Sequence, residues 1–130
     1  MPSAVVQTAV AAAGNDTALT AITWHGDSKY SFTTLEHYAD FQNTQLRQFD
    51  SYSGTVYESY KPPYLTRGTL YTESFTAADG SYSITLVATN TSVLPPMINA
   101  LEIYLRVPYE NPTTLPSDCK SSSVYFQPNL

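Results

Sequence analysis

A single cysteine, Cys119, stands in the 130-residue chain, so it can build neither a disulfide framework nor a thiolate metal site. Its place near one terminus reads as an exposed or half-buried thiol, and redox compartment cannot be inferred from it. Basic residues are scarce too: six Lys and Arg face eleven Asp and Glu, for a formal net charge of −5. Lys29, Arg47, Lys61, Arg67, Arg106 and Lys120 are scattered singly, whereas a phosphate-binding surface needs cations gathered on one face. Nucleic acid is thereby excluded as a partner, and so is an anionic membrane surface. No apolar run approaches the roughly 20 residues that cross a bilayer, so direct membrane insertion is not expected. A secretory leader is not legible either. The stretch Ala4–Ala13 is interrupted by Gln7 and Thr8, with no basic residue before it.

Catalytic signatures are equally sparse. His25 and His37 are the only imidazoles, so a three-histidine metal site has no third ligand. There is no G-x-S-x-G elbow and no Gly-rich phosphate loop. A glycosidase needs two carboxyl groups facing one another across a sugar. Glu36 and Asp40 share a strand parity and are the pair that alternation places on one face. The expectation is a non-enzyme, with no catalytic residue, cofactor or metal.

What the chain does hold is aromatic and extended. Eleven Tyr, five Phe and one Trp accompany nine Pro, while charged residues make up only 13%. Disorder requires the opposite balance, and the length suits one domain. Ring-bearing and β-branched residues fit pleated sheets, and prolines fit the rigid turns between strands. Helical periodicity over three turns is missing throughout. Leu19–Trp24 alternates as a half-buried strand, and His25–Ser28 follows as a turn. Tyr30–Phe41 reads as a long strand with one polar edge. Phe49–Tyr60 reads as a hairpin turning at Ser53-Gly54. Lys61–Tyr64 contains two prolines and is a rigid connection rather than a central strand. Leu70–Phe75 is a short strand, and Ala77–Gly80 a turn. Ser81–Thr89 places Tyr82, Ile84, Leu86 and Ala88 on one face. Ile98–Val107 places Leu101, Ile103, Leu105 and Val107 inward. Ala4–Ala9 is extended before a turn at Gly14–Asp16, Val93–Met97 is an apolar loop that must pack, the chain turns Pro- and Ser-rich from Pro108, and Lys120–Ser123 reads as a frayed tail. About seven short strands predict an all-β antiparallel sandwich or jelly roll.

Two features point outward. Asn15-Asp16-Thr17 and Asn90-Thr91-Ser92 fit the N-glycosylation pattern, and both fall where a bulky glycan is tolerated. Tyr52, Tyr57, Tyr60, Tyr64, Tyr71 and Tyr82 offer rings that could stack on sugars, against the plainer reading that they fill the rim of a Tyr-rich core.

In order, VVQTAV, YADFQ, LRQFD, YKPPYLTRGTLY and SITLVATNTSVLPPMINALEIYLRVP resemble the second half of the tandem malectin-like domain in plant leucine-rich-repeat receptor-like kinase ectodomains. The most specific pieces are Leu94-Pro95-Pro96 with Ile98–Glu102, and Arg47-x-Phe49. These make physical sense. The prolines stiffen the entry to the final strand, Asn99 is placed to bond a loop backbone, and Arg47 to pin its strand through a carboxylate or carbonyl. The resemblance implies a malectin-like, galactose-binding-type sandwich over residues 1–116 with an irregular tail over 117–130. It also implies an extracellular, glycosylated, non-catalytic module at the plasma membrane. Its partner would be an oligosaccharide or cell-wall glycan; the alternative is a protein-interaction or spacer module without sugar binding. No ligand-binding residue carries over from the family by any motif in this chain. The first sandwich and the strand expected before VVQTAV have no counterpart here, which gives the expectation of a truncated form.

Overall fold

Residues 7–107 are described by the structure, a computed structural model, except for the Ser74 side chain. The readings made on Ala4–Val6 and from Pro108 onward, with the boundary after residue 116 and Cys119, lie outside the described residues. Among the described residues nine strands run in order: β1 Val10–Ala11, β2 Ala18–His25, β3 Ser31–Tyr38, β4 Phe49–Tyr52, β5 Val56–Tyr60, β6 Gly68–Phe75, β7 Ser81–Ala88, β8 Met97–Ile98 and β9 Ala100–Arg106. No α-helix occurs among the described residues. A four-stranded sheet of order β2-β7-β4-β5 faces a three-stranded sheet of order β6-β3-β9, and β1 pairs with β8. Every strand pair is antiparallel. This is the expected all-β sandwich.

Alternation is cleanest where one face meets the opposing sheet. On β7, Tyr82, Ile84 and Leu86 are buried while Ser81 and Ser83 are exposed. The hairpin turns where predicted, because Gly54 takes φ +93° and a Cβ there would lie 2.6 Å from the Phe75 ring. Asn99 breaks the last predicted strand into β8 and β9, and its side chain takes on the loop-bonding role. Its Oδ1 accepts the Ala39 N–H at 2.7 Å and its Nδ2 donates to the Thr8 carbonyl at 3.0 Å.

Two sequence readings need correction. Leu105 and Val107 are 49% and 63% exposed. Leu105 pairs with inward-facing Phe32, so its parity is right, but β9 is an edge strand. Alternation gives direction, not what lies across the gap. The long strand Tyr30–Phe41 ends at Tyr38, and its predicted polar edge is largely buried. Thr34, Glu36, His37 and Tyr38 are all 4% exposed or less, because β3 is the central strand of its sheet.

The interior has three levels. At the end of the β2–β3, β4–β5 and β6–β7 turns, Trp24 stacks on Tyr82 (5.3 Å, 11°), and Phe32 meets Tyr82 edge to face at 4.6 Å. At the other end Tyr38, Phe49, Leu70, Leu86 and Ile98 form an apolar cluster, with Tyr60 and Leu101 packed against it. Each fully buried large apolar side chain contributes about 1.5–3 kcal/mol. Between the clusters runs a belt of buried polar side chains, Thr34, Glu36, Ser51, Ser53 and Thr72.

Candidate functional site

Long connections gather at the end where β3, β5 and β7 finish. Residues 39–48 and 61–67 lie side by side there: Asp40 and Tyr64 form an isolated parallel bridge. The Asp40 N–H donates to the Pro63 carbonyl at 2.8 Å, and the Leu65 N–H to the Asp40 carbonyl at 2.9 Å. The double proline holds the second connection extended, and Pro62 is buried. Between the two lies a groove of about 280 Å³.

Its floor is built from side chains that hold one another. Arg47 Nε donates to Asp40 Oδ2 at 3.0 Å, with side chains only 13% and 6% exposed. The guanidinium also donates from Nη1 to the Pro95 carbonyl, so Arg47 uses both a carboxylate and a carbonyl. Gln42 Nε2 reaches Asp40 Oδ2 at 3.1 Å. Its Oε1 accepts the N–H groups of Thr44 at 3.1 Å and Gln45 at 2.9 Å, folding the 42–45 turn around one amide. The lip is different. Tyr64 is 48% exposed, and Asn43, Gln45 and Lys61 are exposed beside it. Among the described residues, none of these four side chains is engaged in a hydrogen bond. A free ring, two amides and an ammonium group surround a rigid floor. That set can stack on an apolar ring face and hydrogen-bond hydroxyl groups.

The other predicted rings divide by place. Tyr82 is core at 4% exposure, and Tyr60 packs on the core cluster. Tyr57 is half-buried, and its hydroxyl donates to the Tyr71 carbonyl. Tyr52 and Tyr71 are exposed, 43% and 49%, on the outer faces of opposite sheets. Of the six, Tyr64 is the ring that lines this groove.

Glu36 and Asp40 are separated by the structure and do not form a facing pair. Asp40 belongs to the groove floor. Glu36 lies between the sheets, where its Oε2 accepts the Tyr38 hydroxyl at 2.5 Å and the Ser51 hydroxyl at 2.7 Å. Burial, then the Glu36 carboxylate, pushes the Tyr38 phenol well above its ordinary range. Tyr60 is pushed up to about 12 by the same two causes in the same order.

The histidines also part. His25 is exposed at the end of β2, its Nδ1 3.4 Å from the Ser81 hydroxyl. His37 is buried in a network that no spacing signalled. Its Nε2 lies 2.7 Å from Glu102 Oε2 and its Nδ1 3.1 Å from Thr69 Oγ1. The Tyr104 hydroxyl completes it, donating to Glu102 Oε1 at 3.2 Å. The His37 hydrogen bond, opposed by desolvation and aided by Tyr104, holds the Glu102 carboxyl below its usual range. Cross-strand register makes the network: Thr69, His37, Ala100 and then Glu102 and Leu35 fall on adjoining rungs. Among the described residues no group of His, Cys, Asp or Glu is placed to hold a metal ion.

Asn15 and Asn90 both occupy exposed turns at the same end of the sandwich as the groove. A smaller hollow of about 140 Å³ lies between Gly14–Thr17 and Ser92–Pro95. A shallow one of about 330 Å³ covers Trp24, His25 and Ser81–Ser83 on β2 and β7. It is larger than the groove, but it lies on two paired strands, without a second wall of loops.

Comparison with known proteins adds a family. The family model described as the malectin-like domain matches residues 1–106. A probable LRR receptor-like serine/threonine-protein kinase of Arabidopsis thaliana is 30% identical over 111 residues, 80% of this chain and 13% of that protein. A second from the same plant, PAM74, is 31% identical over 117 residues, 85% of this chain and 13% of its own length. A putative receptor-like protein kinase of Arabidopsis thaliana is 33% identical over 95 residues, 71% and 11% respectively. The chain thus spans between 11% and 13% of the length of these relatives. The matched family is one of non-catalytic modules, and the kinase part of the relatives lies outside the matched stretch. No solved structure matches the chain.

Proposed function

This chain belongs to the malectin-like domain family, and on that premise we propose that it is the glycan-recognising, non-catalytic part of a receptor-like kinase ectodomain. The observation that carries the reading is the unpartnered Tyr64 ring standing over a groove whose floor is locked by Asp40, Gln42 and Arg47. A pre-formed floor reduces the ordering cost of binding, while the ring and the free amides of Asn43 and Gln45 suit an uncharged oligosaccharide. The same reading places the module outside the cell, extends it to residue 116, and assigns Asn15 and Asn90 as glycan carriers.

The test is a thermal melt with and without millimolar cell-wall oligosaccharides, on the native chain and on Tyr64→Ala. A sugar at about 100 times its Kd adds roughly 2.7 kcal/mol to stability. The native melt should rise with one class of sugar and the variant's should not. A cooperative melt that no sugar moves would sink the reading.

One observation favours a protein partner instead. Phe41 and Leu65 flank the Asp40–Tyr64 bridge and are 47% and 65% exposed. Leu65 also holds a left-handed backbone, φ 53°, a conformation that costs a non-glycine residue about 1–3 kcal/mol. Under this second reading no sugar shifts the melt and Leu65→Gly weakens capture of a protein partner; a sugar-induced rise that Tyr64→Ala abolishes would overturn it.

A further inference from the structure

Asn15 and Asn90 both fit the glycan-acceptor pattern and both are exposed, so access to the acceptor amide does not separate them. The pattern also demands a hydroxyl two residues further on, and there the two sites differ. A transferase that requires this hydroxyl must reach it, and a Ser or Thr hydroxyl has one proton to donate.

In Asn90-Thr91-Ser92 that hydroxyl is already committed to the fold. Ser92 Oγ donates to the Leu94 carbonyl at 2.7 Å and accepts the Gln48 N–H at 2.9 Å. The backbone on both sides of Asn90 is bonded to the same neighbouring segment. The Thr89 N–H donates to the Gln48 carbonyl at 3.0 Å, and the N–H groups of Val93 and Leu94 donate to the Leu46 carbonyl at 2.8 and 3.0 Å. The Ser92 N–H closes a turn on the Thr89 carbonyl at 3.1 Å, and Thr91 Oγ1 donates to Gln48 Oε1 at 3.3 Å. The sequon cannot lift into an enzyme without breaking this set.

Asn15-Asp16-Thr17 is built differently. Thr17 is exposed, and among the described residues its hydroxyl makes no hydrogen bond. It borders the hollow of about 140 Å³ beside residues 92–95, which leaves room at the hydroxyl. The Asp16 N–H closes a turn on the Ala13 carbonyl at 3.0 Å, and the Thr17 carbonyl accepts the Ala88 N–H at 2.7 Å.

We propose that Asn15 accepts a glycan on the folded chain, whereas Asn90 accepts one only while residues 89–94 are unfolded. The reaction transfers an oligosaccharide from a polyprenyl-diphosphate carrier. The anomeric carbon of the sugar bonds to the Asn side-chain nitrogen as its bond to the diphosphate oxygen breaks. The diphosphate leaves on its lipid, and the amide gives up one proton. In the cell this rests on the extracellular placement of the chain; with purified components it needs neither export nor sugar binding by the groove. Occupancy at Asn90 then records modification ahead of folding, and occupancy at Asn15 does not.

The test combines the full chain, made without glycans, with a purified oligosaccharyltransferase and a lipid-linked oligosaccharide, and mass spectrometry reads each site. Trypsin digestion of the same preparation supplies both sites unfolded, on fragments 1–29 and 68–106. Both asparagines should be modified in the digest. On the folded chain Asn15 should keep its rate within about threefold, while Asn90 slows at least about tenfold, because only the opened fraction of its segment reacts. An Asn90 that reacts equally fast folded and digested overturns the proposal. So does an Asn15 that stays unmodified on the folded chain, or an Asn90 refused even in the digest. None of these outcomes depends on whether the groove binds sugar.

Discussion

The two ends of the sandwich are made by different chemistry. At the hairpin end the connections are tight: residues 26–30, 53–55 and 76–80. They are sealed by the rings of Trp24, Phe32, Phe75 and Tyr82. At the groove end the connections run long and are held by hydrogen bonds in which Gln42 and Arg47 donate to the Asp40 carboxylate and the side-chain oxygens of Ser92 and Asn99 accept backbone N–H groups. Apolar contacts tolerate a range of shapes, whereas a charge-assisted network specifies one. The end that carries the groove is the one fixed by directional bonds.

That contrast can be broken from either side. The largest effect is expected from Phe32→Ala, which opens the ring cluster and should cost about 3–5 kcal/mol. Urea unfolding would show it, and the groove's response to sugar should survive in the folded fraction. Arg47→Ala leaves the buried Asp40 carboxylate without its cation and should cost about 3 kcal/mol or somewhat more. Here the sugar response should vanish even where the protein is folded. A variant that kept that response would mean the floor does not need its ion pair. Gly54→Ala forces a side chain into φ +93° and against the Phe75 ring, with an expected loss of about 1–3 kcal/mol. The hairpin end should loosen alone, as hydrogen exchange can report.

The pH dependences are smaller and opposite in sense. Glu102 is held below its usual range, so its contribution is present above the ordinary carboxylate range and is lost as pH falls through its lowered value. Its side chain is 39% exposed, which keeps the effect small. Glu102→Gln should remove it, so stability curves of variant and native chain converge in acid. Tyr60 is raised to about 12. The stability it carries is complete below the ordinary phenol range and is lost as pH rises toward that value. Absorbance titration should find its phenol ionising late, together with alkaline unfolding.

Much of the fold was legible. Period-two alternation gave β2 and β7, Ser53-Gly54 gave the hairpin, and Pro62-Pro63 gave the connection beside the groove. The order of motifs gave the family, and with it the roles of Arg47 and Asn99. What could not be read depends on which segments become neighbours. Arg47 meets Pro95 across 48 positions of sequence, and His37 meets Glu102 across 65. Parity put Glu36 beside Phe32 and Tyr38, yet nothing local showed that face to be the buried one. Leu105 shows the reverse failure, an inward direction with no layer to cover it. Tyr64 was one ring among six because exposure and concavity are properties of the assembled loops.

The buried polar belt settles an ambiguity that apolar packing leaves open. Sliding β3 by two residues against its neighbours keeps every inward side chain inward, so the hydrophobic effect barely distinguishes that misalignment from the native one. Such a slide carries Glu36 past Ser51 and breaks the 2.7 Å bond between the two sheets. A buried carboxylate stripped of a donor costs about 1–3 kcal/mol or more. Two chains folded with the same faces and different alignments would thus differ in energy mainly at this belt. A few hydroxyls and one carboxylate inside an otherwise apolar layer act as the mark by which the strands count themselves into place.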